Sequence, residues 1–249
     1  MPKNNPKENT PPRVDPADFK GRACRCPLCH GERLGFYFAD SFRTYLDCQC
    51  CGLVFVPPRY RLDSKAEKAV YDLHVNDVGD QGYRRFLSRL ATPLLERLPP
   101  ARQGLDFGCG PGPELAAMME EAGHRMRLFD LFYYNAPEVL THSYDFIVAT
   151  EVVEHLQDPY AVFQTLFRIL KPGGWLGMMT KQVMNPEAFS QWHYIRDKTH
   201  ICFYSKPVFE YLAQQFNAVP DFIGNDVILL KKAGHLPLPI DERQQKGAD

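Results

Sequence analysis

Hydrophobic and polar positions alternate along the second half of the chain in a way that predicts strands separated by helices. Segments that read as strands lie at 104–107, 125–129, 144–150, 175–180, 218–223 and 227–230. Segments with apolar residues at helical spacing lie at 113–122, 159–170 and 207–216. Such alternation is typical of the α/β fold class, in which helices cover both faces of a mostly parallel sheet.

The first hundred residues have a different pattern. Residues 64–98 predict two helices separated by a break at 76–82, and the second helix ends before Pro99 and Pro100. Short strand-like runs lie within 22–57. We therefore predict five segments: a disordered tail at 1–18, a small unit at 19–60, a helical cap at 61–100, the main domain at 101–232 and a loose tail at 233–249.

The composition is ordinary and does not change these predictions. The chain is 45% hydrophobic and 24% charged with a net charge of -1, values that allow a full core and give no general signal for nucleic acid or membrane. The sequence contains no apolar run of about 18 residues, so it predicts no transmembrane helix. The N-terminus has no apolar segment of the secretory type, so we expect a cytoplasmic protein that does not bind membranes.

Six of the eight cysteines lie between residues 24 and 51. Cys26 and Cys29 form one C-x-x-C pair, and Cys48 and Cys51 form a second, at the spacing of a two-knuckle zinc site. Four thiolates suit a closed, tetrahedral Zn²⁺ site, which predicts a structural metal. Two further cysteines, Cys24 and Cys50, receive no role from the pattern.

A glycine-rich turn follows the first strand of the main domain and begins its first helix. The turn is Gly108-Cys109-Gly110-Pro111-Gly112, and Asp106 precedes it by two residues. Glycines permit a tight turn and let a ligand approach the backbone. The spacing differs from the G-x-G-x-x-G turn that binds a pyrophosphate, and the acid suits a cationic ligand better. A tight turn without a ligand is the alternative.

Asp130 ends the next predicted strand, 24 positions after Asp106. An acid at this place accepts hydrogen bonds from ribose hydroxyls in dinucleotide-binding folds. Because Asp also ends strands for reasons of turn geometry, the assignment depends on the glycine turn beside it.

Three segments together resemble class I S-adenosylmethionine (SAM)-dependent methyltransferases. Leu105–Gly112 resembles their motif I, 144–156 their fourth strand and the turn after it, and 170–177 the entry to their fifth strand. The resemblance covers 104–232 and is greatest to the small-molecule and ubiquinone-type group. It implies a Rossmann-like sheet of seven strands with SAM as the cofactor. The cysteine-rich unit resembles zinc ribbons that precede some ribosomal RNA and sugar methyltransferases.

The resemblance also implies where SAM binds. We expect contacts from the glycine turn, from the acids after the second and fourth strands and from their neighbours, namely Asp106, Gly108, Cys109, Gly110, Gly112, Asp130, Leu131 and Glu151. The helical cap adds Tyr83 and His74 as candidates. We interpret the Cys109 side chain as a small filler of the turn and not as a nucleophile.

Methyl transfer requires an aligned acceptor and often a base that removes its proton. His155 follows the fourth strand, and Asp197 and His200 lie in an aromatic-rich loop at 192–204 that follows the fifth. Histidine has a suitable pKa, and Asp197 can orient the His200 imidazole. We predict these three as catalytic residues. A packed histidine and a structural Asp–His latch are the alternatives.

The 192–204 loop suits the wall of a site for a small-molecule acceptor with a ring or a sugar. Residues 1–62 carry ten Lys/Arg against six Asp/Glu, and the remainder carries 19 against 24. This modest basic bias leaves an RNA methyltransferase as a less favoured alternative. A SAM-binding interaction protein without catalysis is a third hypothesis, and a nicotinamide-dependent oxidoreductase is disfavoured by the glycine spacing.

Overall fold

A computed structural model describes residues 24–73 and 79–234. The predicted tail at 1–18, the candidate residue His74 and all but the first two residues of the tail at 233–249 lie outside this range. No helix in the described ranges is long and apolar enough to cross a membrane.

The main sheet has six strands in the order β5-β4-β6-β7-β10-β9. Their bounds are β4 Gln103–Phe107, β5 Arg125–Phe129, β6 Tyr144–Thr150, β7 Leu170–Met179, β9 Ala218–Ile223 and β10 Val227–Lys232. The first four in spatial order are parallel, and β10 is antiparallel to both of its neighbours. The predicted α/β class with a mostly parallel sheet is confirmed.

In the described residues, this sheet has one strand fewer than the seven we expected. Between β5 and β6 the chain forms an isolated bridge, Asp130 with Tyr134, and a 3-10 helix, Pro137–Thr141. Pro137 and the short connection leave little length for another strand, since strands in globular proteins usually have five or six residues.

Six α-helices lie in the described residues: α1 Ser64–Tyr71, α2 Gln81–Leu95, α3 Glu114–Glu121, α4 Pro159–Ile169, α5 Pro186–Gln191 and α6 Lys206–Gln215. Side-chain caps explain several starting points. The Asp80 carboxylate accepts the amides of Gly82 and Tyr83 at the start of α2, and Asp158 accepts that of Ala161 in α4. The α2 helix buries Leu87, Leu90, Ala91 and Leu94 in the core cluster that includes β6 and β10.

A second sheet contains four antiparallel strands in the order β1-β2-β3-β8. The cysteine-rich region supplies β1 Leu34–Ala39, β2 Thr44–Cys48 and β3 Val54–Phe55. The edge strand β8, Cys202–Phe203, comes from the aromatic-rich loop of the main domain. The small unit therefore shares a sheet and one continuous hydrophobic core with the main domain, while the predicted domain boundaries themselves stay predictions.

Candidate functional site

The carboxyl ends of the parallel strands define the edge at which the candidate residues meet. The glycine turn follows β4, Asp130 follows β5, Glu151 follows β6 and Thr180 follows β7. Ligands of open α/β sheets bind at this edge, because the loops there leave a crevice between neighbouring strands.

Backbone geometry requires glycine in the turn after β4. Gly108 has φ +76° and Gly110 has φ +64°, in the left-handed region. A Cβ on Gly108 would lie 2.5 Å from Cγ2 of Val152. The Gly110 amide donates to Oδ2 of Asp130 at 3.0 Å, so the turn and the acid after β5 are joined directly.

Asp106 is a buried carboxyl at the end of β4, only 3% exposed. Burial raises the pKa of Asp106 to about 7. A hydrogen bond from the Ala116 amide opposes this rise, and the negative charge of Asp130 adds to it. An ionised carboxylate here lacks solvent, and a cationic ligand would compensate that loss.

Asp130 and Leu131 directly follow β5, at the same edge of the sheet. Oδ1 of Asp130 accepts the amides of Phe132 and Tyr133 at 2.8 and 3.1 Å. The Leu131 side chain is 62% exposed, which leaves an apolar surface beside this acid.

The α2 helix packs against α3, the helix that follows the glycine turn. Burial raises the pKa of Tyr83 in α2, and the negative charges of Asp106 and Glu151 raise it further. Glu114, at the start of α3, is 2% exposed and forms an ion pair with Arg84 of α2, while its Oε2 accepts the Gly79 amide at 2.8 Å. This attachment could not be predicted from the sequence, because nothing in a local pattern pairs residues 30 positions apart.

A second cluster lies after β6 and contains Glu154, His155 and His200, whose ligand atoms all lie within 4.8 Å of one another. Glu154 is fully buried, and burial followed by the Glu151 charge raises its pKa to about 8. The Tyr194 hydroxyl donates to its Oε1. Its Oε2 has no hydrogen-bond partner in the described part of the chain, so a buried polar atom is left unpaired beside the two histidines.

Backbone carbonyls orient both histidines. Nδ1 of His200 lies 2.8 Å from the Tyr194 carbonyl, and Nδ1 of His155 lies 3.2 Å from the Thr199 carbonyl. Because a carbonyl only accepts, each Nδ1 carries the proton, and each Nε2 has a lone pair when the ring is neutral. Burial lowers the pKa of His200, which favours that neutral form.

Asp197 lies beside this cluster but does not orient His200 by a hydrogen bond. Its Oδ2 is 3.8 Å from Nε2 of His200, and its Oδ1 accepts the Thr199 hydroxyl at 2.6 Å and amide at 2.8 Å. Burial raises the pKa of Asp197, yet the Thr199 hydrogen bonds outweigh it and hold that pKa below its usual range. The structure therefore brings the three candidate residues together, with Asp197 as a nearby negative charge.

Arg43 holds the loop that carries these residues, and the sequence analysis did not find it. The side chain is 5% exposed, and its guanidinium donates to the carbonyls of Ile195, Asp197, Lys198 and His200 at 2.7–3.2 Å. Arginine suits this task because its planar group carries five donors.

The four predicted metal-binding cysteines come together at one end of the second sheet. Their Sγ atoms lie within 4.8 Å of one another, with Cys26 and Cys51 at 3.5 Å and Cys29 and Cys48 at 3.4 Å. Tetrahedral Zn²⁺ with bonds of about 2.3 Å separates its sulfur ligands by about 3.8 Å. The amides of Gly31 and Cys50 point at the sulfurs of Cys29 and Cys48, at 3.4 Å each, as expected around thiolates. This donor set fits zinc.

A family model described as a methyltransferase domain matches residues 80–219, which is more than half of the chain. The chain therefore belongs to this methyltransferase family and is a SAM-dependent methyltransferase. No curated protein matches the sequence.

Solved structures similar to this chain include other methyltransferases. An O-methyltransferase family protein from Burkholderia thailandensis is 15% identical, with 71% of this chain and 62% of that chain covered and a TM-score of 0.49. The 1,6-didemethyltoxoflavin-N1-methyltransferase of the same organism, with bound 1,6-didemethyltoxoflavin and S-adenosylhomocysteine, is 15% identical, with 80% and 99% covered and a TM-score of 0.47. These substrates and ligands are those of the proteins named.

Proposed function

We propose that this methyltransferase transfers the SAM methyl group to a small-molecule acceptor held beside Glu154, His155 and His200. The observation that carries the proposal is the unpartnered buried oxygen of Glu154 next to two imidazoles with defined orientation. The cluster lies after β6, at the sheet edge where the glycine turn lies.

SAM would lie across the carboxyl ends of β4 and β5. In this assignment the main chain at Gly108, Cys109, Gly110 and Gly112 lies against the amino-acid part of the cofactor, and Asp106 balances its positive charge. Asp130 would accept hydrogen bonds from the ribose, with Leu131 against the adenine. Glu151, which has φ +52°, and Tyr83 of α2 would complete the wall. The buried carboxyl of Asp106 and the hydrogen bond between the Gly110 amide and Asp130 support this proposal.

Proton removal is assigned to His200. Its neutral ring presents the Nε2 lone pair, so it can accept the proton of an acceptor O–H or N–H group as the methyl group passes in line from sulfur to that atom. The products are the methylated acceptor, S-adenosylhomocysteine and a proton on His200. Asp197 stabilises the resulting imidazolium at 3.8 Å, and His155, 4.7 Å from His200 between ring centroids, packs against it.

Glu154, His155 and His200 are also a donor set for a divalent cation, with one carboxylate and two imidazoles. A cation held there would lower the pKa of a bound acceptor hydroxyl. This donor set supports a second candidate form of the same function, in which the three side chains act as metal ligands and His200 does not act as the base.

The four clustered cysteines are proposed to hold a structural Zn²⁺, since four thiols leave no open position for a substrate. An RNA acceptor remains the alternative substrate, supported only by the modest basic balance of residues 1–62.

Calorimetric titration of the zinc-loaded protein with S-adenosylhomocysteine tests the cofactor assignment. Asp106 has a pKa of about 7 without ligand, and the ligand ammonium favours its ionised form. Affinity should therefore fall about tenfold from pH 8 to pH 6. The D106N variant should lose the pH dependence and most of the affinity, while E120Q, at an exposed acid of α3, should retain both. Absence of binding to the folded protein would refute the proposal.

The acceptor is tested with labelled SAM and a panel of phenols, carboxylates, amines and short RNAs. Methylation of a small molecule supports the proposal. Transfer to RNA alone, with salt-dependent RNA binding, would replace it by the RNA alternative.

A further inference from the structure

A cavity of about 480 Å³ lies between the cysteine-rich unit and the back of the 192–200 loop. The turn between β1 and β2 forms one wall, Tyr60 and Leu62 form a second, and side chains within 190–198 form the third. Three aromatic side chains line it, Phe42, Tyr60 and Trp192. Its size is that of sites for small organic ligands, which usually measure about 300–1,000 Å³.

The cavity carries unbalanced positive charge. Arg43, Arg196 and Lys198 line it together with a single acid, Asp40. The Asp40 carboxylate is occupied, because it accepts the amides of Phe42 and Arg43 and the Tyr45 hydroxyl at 2.7–2.8 Å.

Arg43 is held by backbone carbonyls, but the other two cations are not neutralised. Neither Arg196 nor Lys198 has a carboxylate partner in residues 24–73 and 79–234, and the Lys198 ammonium lies 5.6 Å above the Phe42 ring. Both side chains are exposed at the cavity mouth. Two free cations beside aromatic surfaces favour an anionic group attached to a ring.

The cavity is linked mechanically to the proposed catalytic cluster. Trp192 stacks on Tyr194 with ring centroids 4.8 Å apart. The Tyr194 hydroxyl donates to Glu154, and its carbonyl accepts Nδ1–H of His200. A ring placed against Trp192 therefore contacts the same aromatic stack that positions the cluster.

We propose that this cavity binds the anionic, ring-bearing part of the methyl acceptor, a carboxylate or phosphate on an aromatic ring, with Arg196 and Lys198 as the anion-binding residues. The proposal rests on the small-molecule function and names its substrate class. RNA, which also combines phosphate with rings, fits less well, because it needs a longer track of cations than these two.

Fluorescence of Trp192 provides a direct test. The chain has two tryptophans, so a W175F background leaves Trp192 as the sole tryptophan. Benzoate and phenyl phosphate serve as probes, and benzamide is the neutral control. At least one anion should quench or shift Trp192 emission saturably, and whichever binds more tightly identifies the anionic group. Benzamide should bind at least fivefold more weakly.

Variants in the same background assign the cations. R196Q and K198Q should each weaken the anion about fivefold, and together about 25-fold, whereas R168Q, at an exposed cation of α4, should have no effect. Equal binding of benzamide, or no response to either anion at millimolar concentration, would overturn the proposal. A short RNA that displaces the probes at micromolar concentration would also overturn it in favour of RNA.

S-adenosylhomocysteine titration of the same variants separates this proposal from the function on which it rests. If cofactor affinity is retained while the anions fail to bind, the cavity assignment is wrong and the methyltransferase function stands. Loss of cofactor binding in the parent protein would remove both.

Discussion

At the scale of single residues, the protein positions its candidate base through the backbone. The sequence suggested that Asp197 orients His200, but the Tyr194 carbonyl accepts the Nδ1 proton at 2.8 Å, and Asp197 stays 3.8 Å from Nε2. A carbonyl partner keeps the proton on Nδ1, as a carboxylate partner would, without adding a buried negative charge. Residue types and spacing cannot reveal such a contact, because every residue carries a carbonyl.

Replacement of His200 tests the catalytic assignment. H200A should lower kcat by about 10²–10⁴-fold, the usual contribution of general base catalysis, and leave the affinity for S-adenosylhomocysteine unchanged. H142A, at an exposed histidine, is the matched control. Steady-state kinetics with an acceptor from the panel and calorimetry measure both quantities. If H200A keeps its turnover, His200 has a structural role.

If H200A loses turnover, added divalent cation separates the two forms of the proposed chemistry. A base mechanism predicts no rescue by Mg²⁺ or Mn²⁺. Partial rescue that depends on cation concentration indicates that His200 is a metal ligand.

At the scale of elements, the apolar pattern was sufficient for most of the main sheet. Strands 125–129, 144–150 and 218–223 were predicted with the bounds that the structure has, because each concentrates or alternates apolar residues between turn-forming segments. The helix predicted at 83–98 begins at Gln81 and ends at Leu95. Helix ends depend on caps and on the fraying of the last turn, so their bounds are less evident in a pattern.

The pattern did not predict how the small unit joins the main domain. Strand β8 has only two residues, Cys202 and Phe203, and its pairing with β3 joins segments nearly 150 positions apart. The contacts of Arg43 with the carbonyls of the 192–200 loop have the same character. Non-local pairings of this kind depend on the folded core, so local propensity carries no signal for them.

Arg43 is therefore a positioning residue whose replacement should act on catalysis through the loop. R43Q removes the guanidinium donor from four carbonyls, those of Ile195 and His200 in buried contacts, and should lower the free energy of unfolding by about 2–5 kcal/mol. It should also lower kcat, with the affinity for S-adenosylhomocysteine retained, and make the 192–200 segment more sensitive to proteases. R43K should rescue only in part, because a lysine cannot reach four carbonyls at once.

R33Q is the matched control, since Arg33 is an exposed arginine of the same unit. Thermal melts, kinetics and limited proteolysis measure the three effects. An R43Q protein with normal kcat and normal protection of the loop would show that Arg43 has no positioning role.

At the scale of the whole molecule, the small unit and the main domain share one hydrophobic core and a continuous run of backbone hydrogen bonds. The Ile201 amide donates to the Glu154 carbonyl at 2.8 Å, and the Val56 amide donates to the Ile201 carbonyl at 2.8 Å. One segment thus connects the turn after β6 with the cysteine-rich unit. Tyr45 and Phe55 of that unit share a core with Phe189 and Phe203. Loss of structure in the unit should therefore disturb the positions of Glu154 and His200.

Removal of the proposed zinc tests this coupling. The wild-type protein should contain one zinc per chain by elemental analysis, and C29S should lose it, because three thiolates and a hydroxyl bind zinc far more weakly. C50S, at an exposed cysteine outside the cluster, is the matched control and should keep its zinc. C29S should unfold in a single transition at a lower temperature, since the unit has no core of its own. Its turnover should fall more than its cofactor affinity, because the edge strand β8 and Arg43 hold the 192–200 loop and not the glycine turn. Two separate transitions would show that the two units are independent. A C29S protein with normal zinc content and stability would show that the cysteines do not bind metal.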